Sequence, residues 1–188
     1  MPNLILASSS RYRRALLERL QIPFECISPD IDETPKLDES PDQLVRRLSI
    51  AKAETLAAHY PKNLIIGSDQ VATYKDSILT KPGNYEVAYQ QLKAQSGHRV
   101  TFLTGIALLN SATGHINVDV VPTDVVFRQL SDPEIVDYLK KDEPYDCAGS
   151  FKSEGLGITL FDGIYGNDPT ALIGLPLIRL SQMLRNRN

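Results

Sequence analysis

The chain has 188 residues, of which 42% are hydrophobic and 23% charged, and its formal net charge at pH 7 is −3. This length suits one well-packed domain, which we expect to span residues 1–188, and no compositionally biased stretch indicates a disordered tail. The acidic balance excludes a general attraction to nucleic acid polymers or anionic membranes, so phosphate binding would require a local cluster of cations.

The amino end has no basic region followed by a long apolar segment, and nowhere do about 18 apolar residues run together. The sequence therefore predicts a cytoplasmic protein without a membrane segment. Cys26 and Cys147 lie far apart and outside any CxxC pair, which favours buried thiols over a disulfide, a metal site or a nucleophile. The sequence leaves a homodimer open.

The first predicted elements are a buried strand, Leu4–Ala7, and a helix that runs to about Leu20. Ser8 and Ser10 supply hydroxyls and an N-cap between them, and Arg13 lies in the first turn of the helix. Cations at a helix start are unfavourable to the helix dipole, whereas backbone amides at that end attract phosphate. The arrangement indicates an anion site, with a solvated basic face as the alternative.

An acidic loop follows the second predicted strand, Phe24–Ser28, and Glu33 is one of its three carboxylates. Because the spacing fits no fixed metal-ligand pattern, spacing alone favours a solvated linker over a divalent-metal loop. The next helix begins at the capping sequence Ser40-Pro41-Asp42-Gln43 and is predicted to reach about His59. On this helix Lys52 is predicted near the edge of the apolar face, where a lone lysine is usually solvated.

The apolar run Leu64–Ile66 is followed directly by Gly67-Ser68-Asp69. This pattern predicts a buried strand that carries Asp69 at its exposed carboxyl end, which is where α/β sheets bind ligands. A simple turn is the alternative, since Ser and Asp are common turn residues. Further along the chain, Lys81 precedes a proline, a position that favours extended backbone.

The second half of the chain continues the alternation of helices and strands. The predicted elements are a helix from about Tyr85 to Ala94, two long central strands, Val100–Leu109 and Ile116–Phe127, a short helix opened by Ser131, a strand at 158–161 and a closing helix at 169–185. The intervening loop 147–157 is rich in glycine and serine and contains Glu154. It is interpreted as a second site loop, with a glycine-rich hairpin as the alternative.

Together these residues supply the groups that phosphate chemistry needs. Predicted strand ends carry Ser8, Asp69 and Lys81, a helix start carries Arg13, and the acidic loop carries Glu33. Hydrolysis of a phosphoric anhydride needs cations on the non-bridging oxygens, a divalent metal against developing charge, and a carboxylate that holds the metal or deprotonates water. From the residues alone, a generic ligand-binding α/β protein stays the alternative.

Seven short motifs, in order, resemble the Maf-like nucleotide pyrophosphatase family. They cover nearly the whole chain: the opening Leu-Ile-Leu-Ala-Ser-Ser-Ser with Arg13-Arg14, then Asp32-Glu33-Thr34, Ala51-Lys52-Ala53, Gly67-Ser68-Asp69, Thr80-Lys81-Pro82, Ser96-Gly97 and Ala148-Gly149-Ser150-Phe151. Tyr12, Gln70 and Glu154 resemble the subgroup that acts on 7-methyl-GTP. The subgroup for dTTP and UTP would instead have Asp-Thr after the glycine-alanine pair and glutamine in the late loop. Tyr12 stands where close relatives carry tryptophan, a change that keeps stacking with a smaller ring.

The resemblance implies a mixed, elongated β-sheet flanked by helices, with two lobes around a deep cleft, as in Maf and inosine triphosphatase proteins. It implies hydrolysis of a nucleoside triphosphate between its α and β phosphates, with a divalent cation, Mg²⁺ or Mn²⁺, to the monophosphate and pyrophosphate. The implied roles are Asp69 as proton acceptor or metal-bound carboxylate, Glu33 on the metal side, Ser8, Arg13, Lys52 and Lys81 on the phosphates, and Tyr12, Gln70 and Glu154 on the base. A non-catalytic nucleotide-binding regulator of cell division or septum formation, and a pyrophosphatase for dTTP or UTP, are the alternatives.

Overall fold

A computed structural model describes residues 3–75 and 77–186 of the chain. Within these residues the chain forms seven strands and five helices, together with short 3₁₀ segments. In chain order they are β1 Leu4–Ala7, α1 Arg11–Glu18, β2 Phe24–Ile27, α2 Pro41–Ala57, β3 Leu64–Tyr74, β4 Ser77–Leu79, α3 Tyr85–Gln95, β5 Arg99–Asn110, β6 His115–Phe127, α4 Asp132–Asp142, β7 Phe161–Gly166 and α5 Leu177–Arg185. None of the helices described combines the length and the apolarity that a membrane crossing requires.

The strands form one mixed sheet in the order β2-β1-β3-β5-β6-β7, and β4 pairs antiparallel with β3. β1 lies parallel to both β2 and β3, whereas β7 pairs antiparallel with β6. Parallel neighbours need a crossover connection, and α1 and α2 supply it here. The predicted α/β class, with a mixed sheet flanked by helices, is confirmed.

The chain divides into two compact units. One contains the chain up to Gln70, Thr104–Val121 and the chain from Asp168 onward. The other contains Val71–Leu103 and Pro122–Asn167. The organisation of the whole chain as a single domain stays a prediction.

In the first unit, the sheet packs helices on both of its faces. One face packs against α1 and α5 through Leu4, Leu6, Leu16, Leu17, Leu64, Ile66, Leu177 and Leu180. The other face packs against α2 through Ile5, Ala7, Ala53, Leu56 and Ile65. Because successive side chains of a strand point to opposite faces, Asp69 shares the α2 face with Ile65.

Two glycines set the distance between α2 and the sheet. A Cβ atom at Gly67 of β3 would lie 1.9 Å from the carbonyl oxygen of Ser49, and one at Gly105 of β5 would lie 2.5 Å from that of Val45. Any side chain at either position would therefore push the helix away from the sheet. The glycines let α2 approach the strand that carries Asp69.

In the second unit, four phenylalanine rings form an aromatic core. The ring of Phe151 makes edge contacts with Phe102, Phe127 and Phe161 at centroid distances of 5.2, 5.6 and 4.8 Å. Such edge-to-face pairs are favourable beyond the area that they bury. This core anchors the carboxyl end of the 3₁₀ segment Ala148–Ser150, which belongs to the glycine- and serine-rich loop.

The predicted end of the third strand is wrong. β3 continues through Asp69 to Tyr74 as an eleven-residue strand. Its pairing with β1 does stop where Ala7 lies opposite Gly67, but antiparallel pairing with β4 follows from Ala72 to Tyr74. Asp69 therefore lies just beyond the end of β1 and inside β3.

Two predicted elements near the carboxyl end are also wrong. The residues predicted as a strand at 158–161 lie mainly in a 3₁₀ segment, Leu156–Leu160, and β7 begins only at Phe161. The closing helix begins at Leu177 instead of residue 169, because Gly174 has a φ of 120° and Pro176 stands at the N-cap. The expectation of buried thiols is wrong for Cys26, which is exposed on the edge strand β2, and Cys147 is only half-buried.

Candidate active site

Asp69 is a buried carboxylate in the middle of β3. Its side chain is 10% exposed, and its backbone N–H donates a 3.1 Å hydrogen bond to the hydroxyl of Ser49 on α2. This bond crosses the interface where Gly67 lets the helix approach the strand. Strand and helix therefore fix Asp69 together.

Lys52 joins Asp69 to Glu33. Its ammonium lies 2.7 Å from Asp69 Oδ1 and 2.8 Å from Glu33 Oε1, and its own side chain is only 7% exposed. A buried ammonium is costly unless carboxylates compensate its charge, and here two of them do. One ammonium between two carboxylates leaves one negative charge in the cluster, which can attract a further cation.

The predicted position of Lys52 at the edge of the apolar face is wrong. Lys52 lies in the middle of the buried face of α2, in the row formed by Leu44, Leu48 and Leu56 at spacings of four residues. Residues four apart on a helix share a face, so this row places the ammonium against β3. Ala51, which precedes Lys52 in the sequence, is only partly buried.

The junction between β1 and α1 positions Arg13. Ser10 caps α1 and accepts a hydrogen bond from the backbone N–H of Arg13 at 3.4 Å, while Ser8 Oγ accepts one from Ser10 N–H at 3.1 Å. Arg13 Nε donates to the carbonyl of Gly174 at 2.8 Å. The hydroxyl of Ser68 donates to the same carbonyl at 3.0 Å. The first turn of α1 is thus connected to β3 through one backbone oxygen.

Arg13 also lies in the electrostatic field of the carboxylates. Burial lowers the pKa of its guanidinium, and the negative charges of Asp69 and Glu33 act in the opposite direction. A guanidinium stays charged in proteins, so Arg13 adds a second cation to the cluster. The structure therefore brings four predicted site residues together in the first unit: Arg13, Glu33, Lys52 and Asp69.

Two of the predicted base-selecting residues already have partners inside the first unit. The Gln70 amide nitrogen lies within 2.9–3.0 Å of Thr104 Oγ1 and of the carbonyl oxygens of Ala171 and Leu172. Tyr12 is partly buried, and its hydroxyl accepts a 2.8 Å hydrogen bond from Arg11, whose guanidinium lies 4.8 Å from the ring centroid. The Tyr12 ring thus makes a cation–π contact of the type that a methylated guanine would offer.

Lys81 and Glu154 lie on exposed loops of the second unit. Gln91 of α3 donates to the carbonyl of Thr80 at 3.1 Å and accepts a hydrogen bond from the Ser150 hydroxyl. It therefore connects the segment that precedes Lys81 to the glycine- and serine-rich loop. In that loop Glu154 accepts a hydrogen bond from Ser153 at 3.3 Å.

The Cys147 thiol at the start of the same loop is not suited to nucleophilic attack. Burial and the nearby carboxylates raise its pKa to about 12. The thiolate, which is the reactive form, is therefore scarce at neutral pH. The sequence-based argument against a cysteine nucleophile agrees with this shift.

The carboxylates fit a divalent cation that arrives together with phosphates. Within residues 3–75 and 77–186, no group of three or more His, Cys, Asp or Glu is placed to hold a metal ion. Mg²⁺, however, is commonly bound by one or two carboxylates with substrate phosphates and water, without a cage of protein ligands. Asp69 and Glu33, both within 2.8 Å of Lys52 Nζ, form such a pair.

Sequence reasoning missed several residues that support the site. Ser49, Gly105 and Gln91 carry no local signal of their own, because each acts on a segment distant in sequence. The spacing of four residues that Lys52 shares with Leu44, Leu48 and Leu56 is the one signal in the sequence that could have placed it on the buried face of α2.

Fold and site define an α/β protein in which a buried ammonium, Lys52, lies between a buried and an exposed carboxylate beside the end of a parallel strand pair. The sequence matches the Maf-like protein family over residues 3–187, and the chain belongs to this family, as the motifs predicted. It is 60% identical over 184 residues to the 7-methyl-GTP pyrophosphatase of Pseudomonas savastanoi pv. phaseolicola (strain 1448A / Race 6), covering 98% of this chain and 96% of that protein. Among solved structures it resembles a HAM1 protein from Coxiella burnetii, with a TM-score of 0.57 at 17% identity over 99% of this chain and 100% of that one. At this identity the structural likeness concerns the fold alone.

Proposed function

We propose that the chain is a nucleotide pyrophosphatase that hydrolyses 7-methyl-GTP between its α and β phosphates, releasing 7-methyl-GMP and pyrophosphate. The cluster in which Lys52 bridges Asp69 and Glu33 is the observation that carries the proposed hydrolysis. The name of the 60% identical relative supports the choice of substrate.

Asp69 is the proposed catalytic carboxylate. Its burial and its fixation by Ser49 and Lys52 provide the preorganisation that transition-state stabilisation requires. Asp69 would either accept the proton of the attacking water or help to hold a divalent cation, and both roles need its negative charge. Lys52 keeps the carboxylate in one orientation throughout.

The proposed phosphate-binding residues are Ser8, Arg13, Lys52 and Lys81. Arg13 offers a planar guanidinium beside the first turn of α1, and backbone amides at a helix start also favour phosphate. Lys81, on an exposed loop of the second unit, is proposed as a further contact with the triphosphate. Such contacts act on charge and would serve every nucleotide alike.

A divalent cation, Mg²⁺ or Mn²⁺, fits the proposed reaction. Asp69 and Glu33 would hold it, because both carboxylates converge on Lys52 Nζ and Mg²⁺ is commonly bound by one or two carboxylates together with substrate phosphates. When bound with the nucleotide, it would supply neutralisation of the charge that develops on the phosphates.

Tyr12, Gln70 and Glu154 are the proposed base-selecting residues. Guanine methylated at N7 carries a delocalised positive charge, which favours an aromatic face and a nearby carboxylate. Tyr12 is the proposed stacking ring and Glu154 the proposed acceptor for the ring N–H and the exocyclic amine. Gln70 would act mainly by holding the segment Ala171–Ile173 through its amide nitrogen, with its amide oxygen left for the base.

A nucleotide panel tests the proposal. The purified chain is incubated with Mg²⁺ and 7-methyl-GTP, GTP, UTP or dTTP, and the products are separated by anion exchange. We expect monophosphate and pyrophosphate from every substrate that is turned over, with the highest kcat/KM for 7-methyl-GTP. A preference for UTP or dTTP would contradict the proposed substrate, release of inorganic phosphate without pyrophosphate would contradict the bond, and binding without turnover would favour the non-catalytic regulator.

A further inference from the structure

The loop that carries Glu33 lies between β2 and α2 and contains neither helix nor strand. Glu33 itself is 56% exposed. An exposed side chain on such a loop would move freely unless other contacts hold the backbone near it. The position of Glu33 Oε1 at 2.8 Å from Lys52 Nζ therefore depends in part on the contacts that hold the loop backbone.

Arg47 reaches from α2 into this loop. Its Nε and Nη2 donate to the two oxygens of Glu39 at 2.6 and 2.8 Å, a bidentate pair, and Nη2 also donates to the carbonyl of Thr34 at 3.1 Å. Thr34 directly follows Glu33 in the sequence. The guanidinium thus connects the helix that carries Lys52 to the residue beside Glu33.

Local hydrogen bonds extend this connection through the loop. Glu39 Oε2 also accepts the backbone N–H of Lys36 at 2.9 Å, and Asp32 Oδ1 accepts that of Thr34 at 2.9 Å. The side chains of Glu39 and Arg47 are 8% and 24% exposed, so their pair is much better shielded than an ordinary surface salt bridge. The hydrogen bond from Arg47, and to a smaller extent the one from the Lys36 amide, lower the pKa of Glu39 to about 2, so its carboxylate stays charged even in moderately acidic solution.

We propose that Arg47 is a positioning residue which, through Glu39 and the Thr34 carbonyl, holds the acidic loop so that Glu33 stays beside Lys52 and Asp69. This inference rests on the proposed function, because the position of Glu33 matters for activity only if Glu33 takes part in the proposed hydrolysis. Bidentate geometry matters for this role, since a lysine at position 47 would keep the charge but lose the fork. Arg46 is a matched control: it lies next to Arg47 on α2 and pairs with Asp42 at 2.7 Å, within the helix.

A double-mutant cycle tests whether Arg47 acts through Glu33. Turnover of 7-methyl-GTP is measured for Arg47→Ala, Glu33→Gln, the double variant and Arg46→Ala. We expect Arg47→Ala to lower kcat about tenfold to a hundredfold with a smaller change in KM, since a displacement of about 1 Å in a site can cost a hundredfold. In the Glu33→Gln background the same change should cost less than about threefold, Arg47→Lys should fall between Arg47→Ala and the wild type, and Arg46→Ala should match the wild type.

A second readout does not depend on turnover. Amide hydrogen exchange of the loop is followed in the protein without nucleotide or metal, where the Thr34 and Lys36 amides should be protected by their hydrogen bonds. Arg47→Ala and Glu39→Gln should both accelerate this exchange, whereas Glu33→Gln and Arg46→Ala should leave it unchanged. If Arg47→Ala fails to fold, Arg47→Lys and Glu39→Gln carry the same comparison.

Three outcomes would overturn the inference. Equal costs of Arg47→Ala in the two backgrounds would mean that Arg47 acts independently of Glu33, and a rise in KM alone would place it on the substrate phosphates. Unchanged exchange in Arg47→Ala would mean that it does not hold the loop. A failure of the proposed function is separate, because it would appear as wild-type protein that hydrolyses none of the nucleotides.

Discussion

At the scale of single residues, charge pairing explains how Lys52 and Asp69 tolerate burial. Lys52 is compensated by two carboxylates, and Asp69 is held by a hydroxyl on one side and an ammonium on the other. The strand pattern by itself indicated Asp69 as a candidate site residue, whereas the roles of Lys52 and Glu33 came only from the resemblance of the motifs to the family. Spacing alone favoured a solvated lysine and a solvated loop, because a long-range ion pair leaves no periodic signal in the sequence.

Base selection can be tested at Tyr12 and Glu154. We expect Glu154→Gln and Tyr12→Ala each to reduce kcat/KM for 7-methyl-GTP, while the slow activity on unmethylated nucleotides changes little. The discrimination between the methylated and the unmethylated nucleotides should fall by about 1–3 kcal/mol. The reason is that both residues are proposed to act on the cationic ring and not on the phosphates. The measurement is kcat/KM for 7-methyl-GTP, GTP, UTP and dTTP in both variants.

The Arg11–Tyr12 contact adds a control for this experiment. Arg11 lies 4.8 Å from the Tyr12 ring centroid, so Tyr12→Phe keeps the aromatic face but loses the 2.8 Å hydrogen bond to the hydroxyl. Tyr12→Phe should retain the preference for 7-methyl-GTP. An unchanged substrate ranking in Tyr12→Ala and Glu154→Gln would mean that other residues choose the base.

At the scale of elements, the close approach of α2 to the sheet should be sensitive to any added side chain. We expect Gly67→Ala to destabilise the protein by about 1–3 kcal/mol or more, because the new Cβ atom would lie 1.9 Å from the Ser49 carbonyl oxygen. The free energy of unfolding is measured by urea denaturation. The turnover of folded protein should also fall, since a shift of α2 moves Lys52 away from Asp69.

Gly114→Ala is the control variant for the effect of an added Cβ atom on the backbone alone. Gly114 has a φ of 75° but nothing within 4 Å of its Cβ position, so this variant has the cost of backbone strain without a steric clash. It should be milder than Gly67→Ala and should leave turnover per folded molecule unchanged. Equal unfolding energies and full activity in both variants would contradict the close packing of α2 on β3.

Predictability from the sequence differed between elements for physical reasons. The start of α2 was predicted correctly because Ser40, Pro41 and Gln43 encode a local capping box, which is present. The predicted end of β3 was wrong because the strand continues past the end of its pairing with β1 at Gly67 and then pairs with β4. This change of partner depends on tertiary contacts that no local pattern encodes. The break before α5 was encoded by Gly174 and Pro176 and was overlooked.

At the scale of the whole molecule, the carboxylates of Glu39 and Glu134 should make the free energy of unfolding depend on pH in acidic solution. Hydrogen bonds from Arg47 and the Lys36 amide lower the pKa of Glu39 from 4.5 to about 2. Hydrogen bonds from Ser131, and to a smaller extent from Arg128, lower the pKa of Glu134 from 4.5 to about 2 as well. A pKa that is lower in the folded state stabilises the fold above the unfolded value, and this stabilisation is lost as the pH falls. The relevant window therefore extends from pH 4.5 down to about 2.

The double variant Glu39→Gln/Glu134→Gln tests this dependence. It should be less stable than the wild type at neutral pH, and its free energy of unfolding should fall less steeply between pH 4.5 and about 2. Urea denaturation at a series of pH values in this window supplies the comparison. Parallel curves for the variant and the wild type would show that the two carboxylates do not carry this acid sensitivity.

The family and the α/β class were predictable because the motifs cover nearly the whole chain and match the Maf-like family over residues 3–187. The supporting contacts of the site were not, since Arg47, Ser49 and Gln91 each bind a segment that only the folded chain brings close. The cytoplasmic location and a homodimer stay predictions from the sequence.

Asp69 is proposed to take part in the hydrolysis itself and not merely to shape the nucleotide site. Asp69→Asn keeps the shape of the side chain and an oxygen for Lys52 but removes the negative charge. We expect kcat for 7-methyl-GTP to fall about a hundredfold or more while the dissociation constant of the nucleotide changes little, and Glu54→Gln on the exposed face of α2 should behave as the wild type. If Asp69→Asn retains more than about a tenth of the wild-type turnover, Asp69 is not the catalytic carboxylate.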